Sequence, residues 1–237
     1  MIRVLLLGIG GKMGQRVGER LIQEEAIALV AGIEAPQHPW VGKEYRGIPI
    51  YGDGEPYPPA DAWVDFSLPS GAMSHIERAV QERVPMVIGV TGFSAEEVNR
   101  LRNAGEKIPL LWAPNFSLGA AVLERLAVVA GEMMRDYGDA LIIEAHHKSK
   151  RDAPSGTALR LLKTLQEIGL NPSVHSLRGG GMVGEHTVRL TGEWEELELT
   201  HRVWSRQAFS PMVPRAIRFI VHQPPGFYTL FDLLSSS

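Results

Sequence analysis

The segment EAHHKSKRDAPSGTALR, residues 144–160, is the densest polar stretch of this chain, and it could bind a metal, bind an anion or lie in solvent. A metal is disfavoured, because the adjacent His146 and His147 would point to opposite faces of an extended backbone and the neighbouring lysines would repel a cation. A solvated loop is disfavoured, because the segment directly follows the apolar strand pattern ALIIEA. His146 and Lys150 are four residues apart, a spacing that places both on one side of a strand or of a helical turn.

A helix start follows these side chains. Ser155 is a candidate N-cap, so that the amides of Gly156 and Thr157 would lie at the helix N-terminus. Cations, imidazoles and such a terminus at one place favour a site for an anionic, carboxylate-bearing small molecule. A histidine in that position, with a pKa near neutrality, could also move a proton. The segment therefore predicts an anion site with a proton donor.

The sequence LLLGIGGKMG combines the end of a predicted first strand with a glycine-rich turn and the start of a helix. The spacing G-x-x-G-x-x-G fits through Gly8, Gly11 and Gly14, whereas the strict G-x-G-x-x-G pattern fails because Met13 occupies its third glycine position. Glycines there allow the backbone to approach a pyrophosphate closely. Glu34, twenty residues after Gly14, could hold ribose hydroxyls. Together these features favour a dinucleotide site over a turn that only joins strand to helix.

The type of dinucleotide depends on the charges near the ribose. Glu34 would repel a 2′-phosphate and so favours NAD, while Lys12 could partly offset this repulsion for NADP. The segments DFSLPSG, GVTGF and WAPNFS also fall at the carboxyl ends of predicted strands, where open α/β sheets bind their ligands.

Apolar strand patterns alternate with helical patterns through the first half of the chain, which predicts βαβ units and a Rossmann-like, doubly wound parallel sheet of the α/β class. The predicted strands are residues 2–7, 28–33, 48–51, 62–66, 85–90 and 108–111, and the predicted helices are 12–24, 71–83 and 94–107.

The regular alternation of apolar strands and helices ends after residue 116. The pattern that follows predicts a second, α+β domain with an open mixed or antiparallel sheet. Its predicted strands are residues 140–145, 174–177, 186–191 and 195–202, its helices are 118–136 and 157–168, and a helix near 213–221 precedes a short apolar tail. We expect residues 1–116 with 206–237 to bind the dinucleotide, and residues 117–205 to bind substrate and mediate oligomerisation.

Composition restricts the possible functions. The chain has 237 residues, a formal net charge of -3 and no cysteine, which argues against nucleic-acid binding and excludes disulfides and thiolate chemistry. No apolar run approaches the roughly 18–20 residues that cross a bilayer. The apolar N-terminus is better explained as a buried strand than as a signal peptide. We therefore expect a cytoplasmic protein that binds neither membranes nor nucleic acid.

The pattern E-A-H-H-x-x-K-x-D-A-P-S-G-T-A at residues 144–158 resembles the signature of the dihydrodipicolinate reductase (4-hydroxy-tetrahydrodipicolinate reductase) family. The segments GIGGKMG, VIGVTGF, APNFS, VGEHTV and THR…SR are similar to family segments in order and spacing. The resemblance implies reduction of a cyclic unsaturated dicarboxylate, 4-hydroxy-tetrahydrodipicolinate, to tetrahydrodipicolinate in diaminopimelate and lysine biosynthesis, with NADH or NADPH as the reductant. It also implies a homotetramer built through the sheet of the second domain.

The resemblance also implies roles for individual residues. His146 takes the family's catalytic acid/base position, and Lys150 that of a proton donor and substrate anchor. His147 takes the position of a substrate-binding histidine, and Gly156 and Thr157 those of a backbone and hydroxyl that hold a carboxylate. The implied dinucleotide contacts are Gly8, Ile9, Gly10, Gly11, Lys12, Met13, Glu34, Gly89, Val90, Thr91, Ala113, Pro114, Asn115 and Phe116.

One position departs from the family pattern. Many members carry an arginine directly after the acidic ribose ligand, where it can meet a 2′-phosphate, and this chain has Ala35 there. The departure weakens the case for NADP and leaves Lys12 as the main candidate phosphate contact.

Two other functions compete with the reductase. A related two-domain dehydrogenase acting on an aspartate-derived substrate is disfavoured by the signature at 144–158. A non-catalytic, dinucleotide-sensing regulatory protein would need neither His146 nor Lys150, and both are present.

Several further polar residues have simpler interpretations. We expect His38 and His75 at the surface, and structural hydrogen bonds for His186 and His201, although His186 could line a substrate cleft. Arg178, beside a glycine triplet, could close over a substrate.

Overall fold

The computed structural model describes residues 1–235, which form two compact units. Unit 1 contains Met1–Phe116 and the chain from Phe209 onward, and unit 2 contains Ser117–Ala208. Each unit has its own sheet and its own hydrophobic core.

The elements alternate regularly along the chain. Unit 1 begins with β1 (Ile2–Leu7), α1 (Lys12–Ile22), β2 (Ile27–Glu34), β3 (Glu44–Tyr45), β4 (Ile48–Gly52), β5 (Ala62–Asp65), α2 (Pro69–Glu82), β6 (Met86–Ile88), α3 (Ala95–Gly105) and β7 (Pro109–Trp112). Unit 2 follows with α4 (Leu118–Met134), β8 (Asp139–His146), α5 (Gly156–Glu167), β9 (Ser173–Arg178), β10 (Gly184–Thr191) and β11 (Glu196–Val203). A short 3₁₀ helix (Arg206–Phe209) leads back to unit 1, which ends with α6 (Met212–Ile220), β12 (Gly226–Tyr228) and α7 (Leu230–Ser235).

The sheet of unit 1 has the strand order β12-β7-β6-β5-β1-β2-β4-β3 within the described residues. Neighbouring strands pair in parallel except β3 and β4, which are antiparallel. The chain moves outward from β1 through β2 to β4 and then returns to the other side of β1 with β5. This reversal at β1 is the switch point of a doubly wound α/β sheet, and it confirms the predicted fold class.

Burial explains why the strands of unit 1 are continuously apolar. Val4, Leu5, Leu6 and Leu7 of β1 are each 0% exposed, because helices cover both faces of a parallel sheet. Leu5 and Leu7 pack in one cluster with Trp63 of β5. Truncating such a leucine to alanine costs about 2–5 kcal/mol, so this central strand anchors the loop that follows it.

Unit 2 contains a mixed sheet of strand order β11-β10-β8-β9. Strand β8 is parallel to β9 and antiparallel to β10, which in turn is antiparallel to β11. Side chains of α4 and α5 pack with Ile142 and Val188 of this sheet in a single core. Because strand side chains alternate, Glu144 and His146 follow Ile142 on the same face of β8. The mixed sheet confirms the predicted architecture.

Element ends differ from the predictions by a few residues, and two short strands, β3 and β12, were not predicted. Helix α1 ends at Ile22 rather than at residue 24, and α2 begins with Pro69 as its first helical residue. The C-terminal tail contains β12, which pairs with β7, and the helix α7. Strand β12 is three residues long, too short to show a periodicity in sequence.

Across residues 1–235, helices that combine enough length and apolar character to cross a membrane are absent.

Candidate functional site

The turn after β1 requires glycine at position 8. Gly8 has a φ of 78°, in the left-handed region, and its amide donates to the carbonyl of Ile33 at 2.9 Å. A Cβ atom at Gly8 would lie 2.7 Å from the Cα of Ser67, in the loop that follows β5. The turn is therefore packed against a neighbouring strand end at the switch point of the sheet.

The same turn is closed by helix α1. A Cβ atom at Gly14 would overlap the carbonyl oxygen of Gly8 and lie 2.8 Å from the Cα of Ile9. Gly11 is the N-cap of α1, and both Gly11 and Lys12 are exposed. An exposed helix N-terminus directly against a glycine turn is a cradle that fits the pyrophosphate of a dinucleotide. Ile9, also predicted as a cofactor contact, is 0% exposed as a whole residue.

Glu34 ends β2 beside this cradle. One of its carboxylate oxygens accepts a hydrogen bond from the amide of Gly10, and the other accepts one from the amide of Ala35 at 3.3 Å. A Cβ atom at Gly10 would lie 2.7 Å from the imidazole of His38. His38, which was expected only as a surface residue, is half-buried here next to the carboxylate proposed for the ribose.

The predicted cofactor contacts after β6 and β7 are built mainly from backbone. Gly89 lies beneath the ring of Phe66, where a Cβ atom would collide with it. The carbonyl of Val90 accepts a hydrogen bond from Trp112 Nε1 at 3.0 Å, and Val90 is buried. Ala113 and Phe116 are also buried, whereas Thr91 is exposed and Pro114 and Asn115 are half-buried. Thr91, Pro114 and Asn115 thus offer accessible side chains at this sheet edge.

The prediction that His75 lies at the surface is wrong. Its side chain is buried, with Nδ1 2.7 Å from Asp65 Oδ2 and Nε2 3.4 Å from Asp53 Oδ2. Burial alone would lower the pKa of His75, but the two carboxylates outweigh it and raise that pKa. The sequence placed His75 on a helix without showing which face of the helix packs against β5.

In unit 2, Glu144 and His146 form a buried pair at the end of β8. Glu144 is 0% exposed, and its Oε2 atom accepts a hydrogen bond from Nδ1 of His146. Burial lowers the pKa of His146, and the charges of Lys150 and Arg178 reinforce this against the opposing effect of Glu144. The pair therefore holds a neutral imidazole beside a carboxylate.

The other oxygen of Glu144 is held by two further donors. Arg178 Nη2 lies 2.6 Å from Oε1, and the amide of Ser155 donates to the same atom at 3.3 Å. Burial would raise the pKa of Glu144, but hydrogen bonds from Arg178, Ser176 and His146 lower it to about 2. Arg178 also donates to the carbonyl of Asp152 at 2.7 Å. The guanidinium, which the sequence suggested could close over a substrate, ties the signature segment to β9 in this structure.

His186 of β10 completes the cluster. Its ring centroid lies 5.1 Å from that of His146, and its Nε2 atom lies 3.0 Å from Ser155 Oγ. Burial, followed by the nearby charge of His146, lowers the pKa of His186 to about 4, so this imidazole is neutral at physiological pH. The structural hydrogen bonds expected for His186 and His201 are present, the latter to Ser117 Oγ at 3.3 Å.

One triad of potential metal ligands occurs among residues 1–235, formed by Glu144, His146 and His186, whose donor atoms all lie within 4.8 Å of one another. Both oxygens of Glu144 are already hydrogen-bonded acceptors, and Arg178 contributes a cation at the same point. A divalent ion would have to displace these donors and overcome the positive charge. The arrangement therefore suits proton transfer and anion binding better than metal coordination.

The remaining predicted substrate residues surround the same strand end. Lys150 Nζ lies 2.8 Å from both carboxylate oxygens of Asp152, and His147 Nδ1 lies 2.8 Å from Ser149 Oγ. Ser155 caps α5 as expected, accepting a hydrogen bond from the amide of Ala158 at 3.2 Å.

The first helical residue, Gly156, is exposed, and nothing lies within 4 Å of where its Cβ would be. Thr157 follows it in the first turn and is half-buried. A helix N-terminus that opens to solvent beside a lysine and a histidine can hold a carboxylate.

Glu144 was not singled out as a site residue from sequence, Ser155 was predicted only as a helix cap, and Arg178 only as a residue that could close over a substrate. Strand alternation could have placed Glu144 beside His146, since the two are separated by one residue. No comparable local signal marks Arg178, which β9 brings opposite His146 through strand pairing.

Family models and individual relatives match the chain over nearly its whole length. A model described as "Dihydrodipicolinate reductase, N-terminus" matches residues 2–116, and one described as "Dihydrodipicolinate reductase, C-terminus" matches residues 119–234. The 4-hydroxy-tetrahydrodipicolinate reductase of Syntrophus aciditrophicus (strain SB) is 36% identical over an alignment of 264 residues, gaps included. The alignment covers 99% of this chain and 98% of that protein. The protein of the same name from Stenotrophomonas maltophilia (strain R551-3) is 40% identical over 239 residues, covering 98% of both.

Solved structures agree with the sequence matches. The dipicolinate-bound dihydrodipicolinate reductase from Paenisporosarcina sp. TG-14 has a TM-score of 0.79 and 25% identity, with 97% of each chain covered. A probable dehydrogenase from Thermotoga maritima, at 10% identity and a TM-score of 0.71, shares the fold. With both halves of the chain matched by its models and full-length relatives above 30% identity, this chain belongs to the dihydrodipicolinate reductase family.

Proposed function

We propose that this chain reduces 4-hydroxy-tetrahydrodipicolinate to tetrahydrodipicolinate, with NADH or NADPH as the reductant. The observation that carries this function is the end of β8, where the buried Glu144–His146 pair lies in the same signature segment as Lys150 and the Ser155-capped helix start. This combination provides a proton-transferring group and anion-binding groups, which a reduction of an unsaturated dicarboxylate requires.

The glycine turn of unit 1 would hold the cofactor. The amides around Gly11 would bind the pyrophosphate at the start of α1, and the Glu34 carboxylate would bind ribose hydroxyls. A bound nicotinamide would supply the hydride. The exposed Thr91, with the half-buried Pro114 and Asn115, would line the same sheet edge. The tight packing of the turn, in which a Cβ at Gly8 or Gly14 would collide with neighbouring backbone, supports this assignment.

The signature segment would hold the substrate. Lys150, His147 and the helix start at Gly156 and Thr157 would bind its carboxylates. Loss of the 4-hydroxyl group as water would give the conjugated system. Hydride addition to one of its carbons then leaves negative charge on the neighbouring carbon, which an acid must protonate. We assign that proton transfer to His146 and Lys150. A bound dianion would raise the pKa of His146 and favour its charged form.

The resemblance to the family also supports a proposal for assembly and location. We infer a cytoplasmic homotetramer formed through the sheet of unit 2. Trp194 and Trp204 are 85% and 86% exposed in the isolated chain, which supports burial of this region against another subunit. Light scattering coupled to size-exclusion chromatography tests the subunit number, and a monomer at micromolar concentration would contradict it.

A coupled assay tests the function. The substrate is generated in situ by the preceding synthase, and oxidation of NADH or NADPH is followed by the loss of the absorbance of the reduced nicotinamide. We expect activity in the wild type and a loss of roughly 10²–10⁴-fold in His146→Ala and in Lys150→Ala. Lys148→Ala, which removes an exposed cation of the same loop, is the matched control and should remain active. An inactive wild type, or full activity in both site variants, would show the assignment to be wrong.

A further inference from the structure

We propose that Glu144 is a positioning residue that fixes His146 in the tautomer with its proton on Nδ1, and that Arg178 holds Glu144 in place for this purpose. This role deepens the proposed function, on which its catalytic consequence rests, because His146 is the group assigned to proton transfer.

The hydrogen bonds of Glu144 allow only one arrangement of protons. A guanidinium can only donate, so Oε1 must accept from Arg178, which it does at 2.6 Å. An ionised carboxylate has no proton to give, so Oε2 must accept from His146, and Nδ1 must carry the hydrogen. The carboxylate stays ionised because its pKa is lowered to about 2. Because Nδ1 carries the fixed hydrogen, Nε2 is the nitrogen that can accept and donate a proton in the reaction.

The surroundings of Nε2 agree with this assignment. A Cβ atom at Gly184, the first residue of β10, would lie 3.0 Å from His146 Nε2. Any other residue at position 184 would therefore crowd this nitrogen, while Nδ1 is turned inward to Glu144. The Nδ1 atom of the imidazole thus bonds to Glu144, and Nε2 is the atom left for proton transfer.

Charged groups reach His146 from each neighbouring element. Glu144 lies on the same strand, Arg178 comes from β9, His186 comes from β10, and Lys150 follows in the loop. Burial, reinforced by the charges of Lys150 and Arg178, lowers the pKa of His146 and keeps it neutral in the free protein. The Glu144 carboxylate then stabilises the imidazolium once a dianionic substrate favours protonation of Nε2.

Replacing Glu144 by glutamine reverses this arrangement without changing its shape. The amide has one oxygen and one NH₂ group, and Arg178 requires the oxygen. The NH₂ group must then face His146, whose Nδ1 has to accept, so that the proton moves to Nε2. An isosteric change therefore switches the tautomer of His146.

Nitrogen chemical shifts of ¹⁵N-histidine-labelled full-length protein test this without any substrate. His146→Gln identifies the signals of His146 by their loss. We expect a proton on Nδ1 in the wild type and on Nε2 in Glu144→Gln. The same tautomer in both proteins would overturn the role of Glu144.

Glu124→Gln is the matched control. Glu124 is also buried in unit 2 and paired with a guanidinium and a hydroxyl, those of Arg160 and Thr164, but it does not contact His146. Glu124→Gln should leave the His146 signals unchanged. A change there as large as in Glu144→Gln would mean that loss of any buried carboxylate disturbs His146, which would overturn a specific role.

A second variant decides the question if Glu144→Gln fails to fold. In Arg178→Met the carboxylate loses its cation and keeps only neutral donors besides His146, so the pKa of His146 should rise relative to the wild type. This pKa is read from the same histidine signals during a pH titration. An unchanged or lower pKa would contradict the shared arrangement of Arg178, Glu144 and His146.

Kinetics separate this role from the proposed function. In Glu144→Gln we expect kcat to fall roughly 100-fold or more while KM changes little. The reason is that Nε2, the nitrogen assigned to proton transfer, then carries the hydrogen of the other tautomer. Unchanged kcat, in an active enzyme, would overturn the role of Glu144 alone. A wild type with the expected tautomer but no reductase activity would overturn the proposed function and leave the Glu144–His146 arrangement intact.

Discussion

The imidazole Nδ1 of His75 lies 2.7 Å from Oδ2 of Asp65, and both side chains are buried in unit 1. Asp53 approaches the other ring nitrogen at 3.4 Å, and its second oxygen accepts a hydrogen bond from Tyr57 at 2.7 Å. Asp65 also accepts from the amide of Ser67, in the loop that packs against the glycine turn. This histidine therefore links α2 to the end of β5 and to the loop after β4.

Substituting His75 by glutamine should destabilise the protein more at low pH than at high pH. The folded state raises the pKa of His75, so its charged pairing contributes fully below the unfolded-state pKa of about 6.5 and is lost as pH rises through the folded-state value. We expect a loss of about 3 kcal/mol or more near pH 5.5 and a smaller loss near pH 9. Urea unfolding at both pH values measures it. His222→Gln, an exposed histidine of the same unit, is the control, and equal losses at both pH values would contradict the charged pairing.

Gly14→Ala should damage the cofactor site. Its Cβ would overlap the carbonyl oxygen of Gly8, so either α1 or the turn must move, at a cost of about 1–3 kcal/mol in stability. We expect NADH to bind at least tenfold more weakly, about 1.4 kcal/mol, as measured by fluorescence titration. Gly18→Ala is the matched control in the same helix, because its Cβ would lie 3.4 Å from the side chain of Leu6, an ordinary contact distance. Wild-type affinity in Gly14→Ala would exclude the proposed cradle.

The cofactor preference should follow the residue after Glu34. Without a cation at Ala35, the wild type should use NADH at least as well as NADPH, because the Glu34 carboxylate repels a 2′-phosphate. Ala35→Arg should shift the ratio of kcat/KM values toward NADPH by roughly 10-fold or more, the effect of one charge-assisted hydrogen bond. Gln37→Arg places the same charge two residues away, on an exposed position, and should shift the ratio less. A strong NADPH preference in the wild type would contradict this explanation.

His186 should make unit 2 sensitive to acid. Its pKa is lowered to about 4 from the usual 6.5, so the unfolded chain binds a proton between these values that the folded chain does not. Stability therefore falls as pH decreases from about 6.5 to about 4, by about 3 kcal/mol from this group. His186→Gln should show a shallower fall over that range in urea unfolding. His175→Gln, an exposed histidine on β9, should retain the wild-type slope, and an unchanged slope in His186→Gln would refute the buried neutral imidazole.

Local patterns were sufficient for several features. The apolar runs and helical segments predicted the alternating elements of unit 1, because a parallel sheet requires both continuous apolar strands and covering helices. The glycines at 8, 11 and 14 predicted a turn without side chains, and Ser155 predicted the cap of α5. Each of these depends on residues within a few positions of one another.

Contacts across strands could not be predicted in this way. Arg178 reaches Glu144 because β9 pairs with β8 in a register that places Arg178 opposite His146. His186 joins the cluster because β10 places it opposite Glu144. His75 is buried because α2 turns it toward β5.

The sequence by itself therefore determined the chemical groups of this protein and their local spacing: a glycine turn before a helix, and a histidine four residues before a lysine. The tertiary structure decided which charge each group faces, and with it the protonation of His146, His186 and His75. The physical reason is that pKa values and tautomers depend on burial and on partners distant in sequence, and only strand register and helix packing bring those partners together.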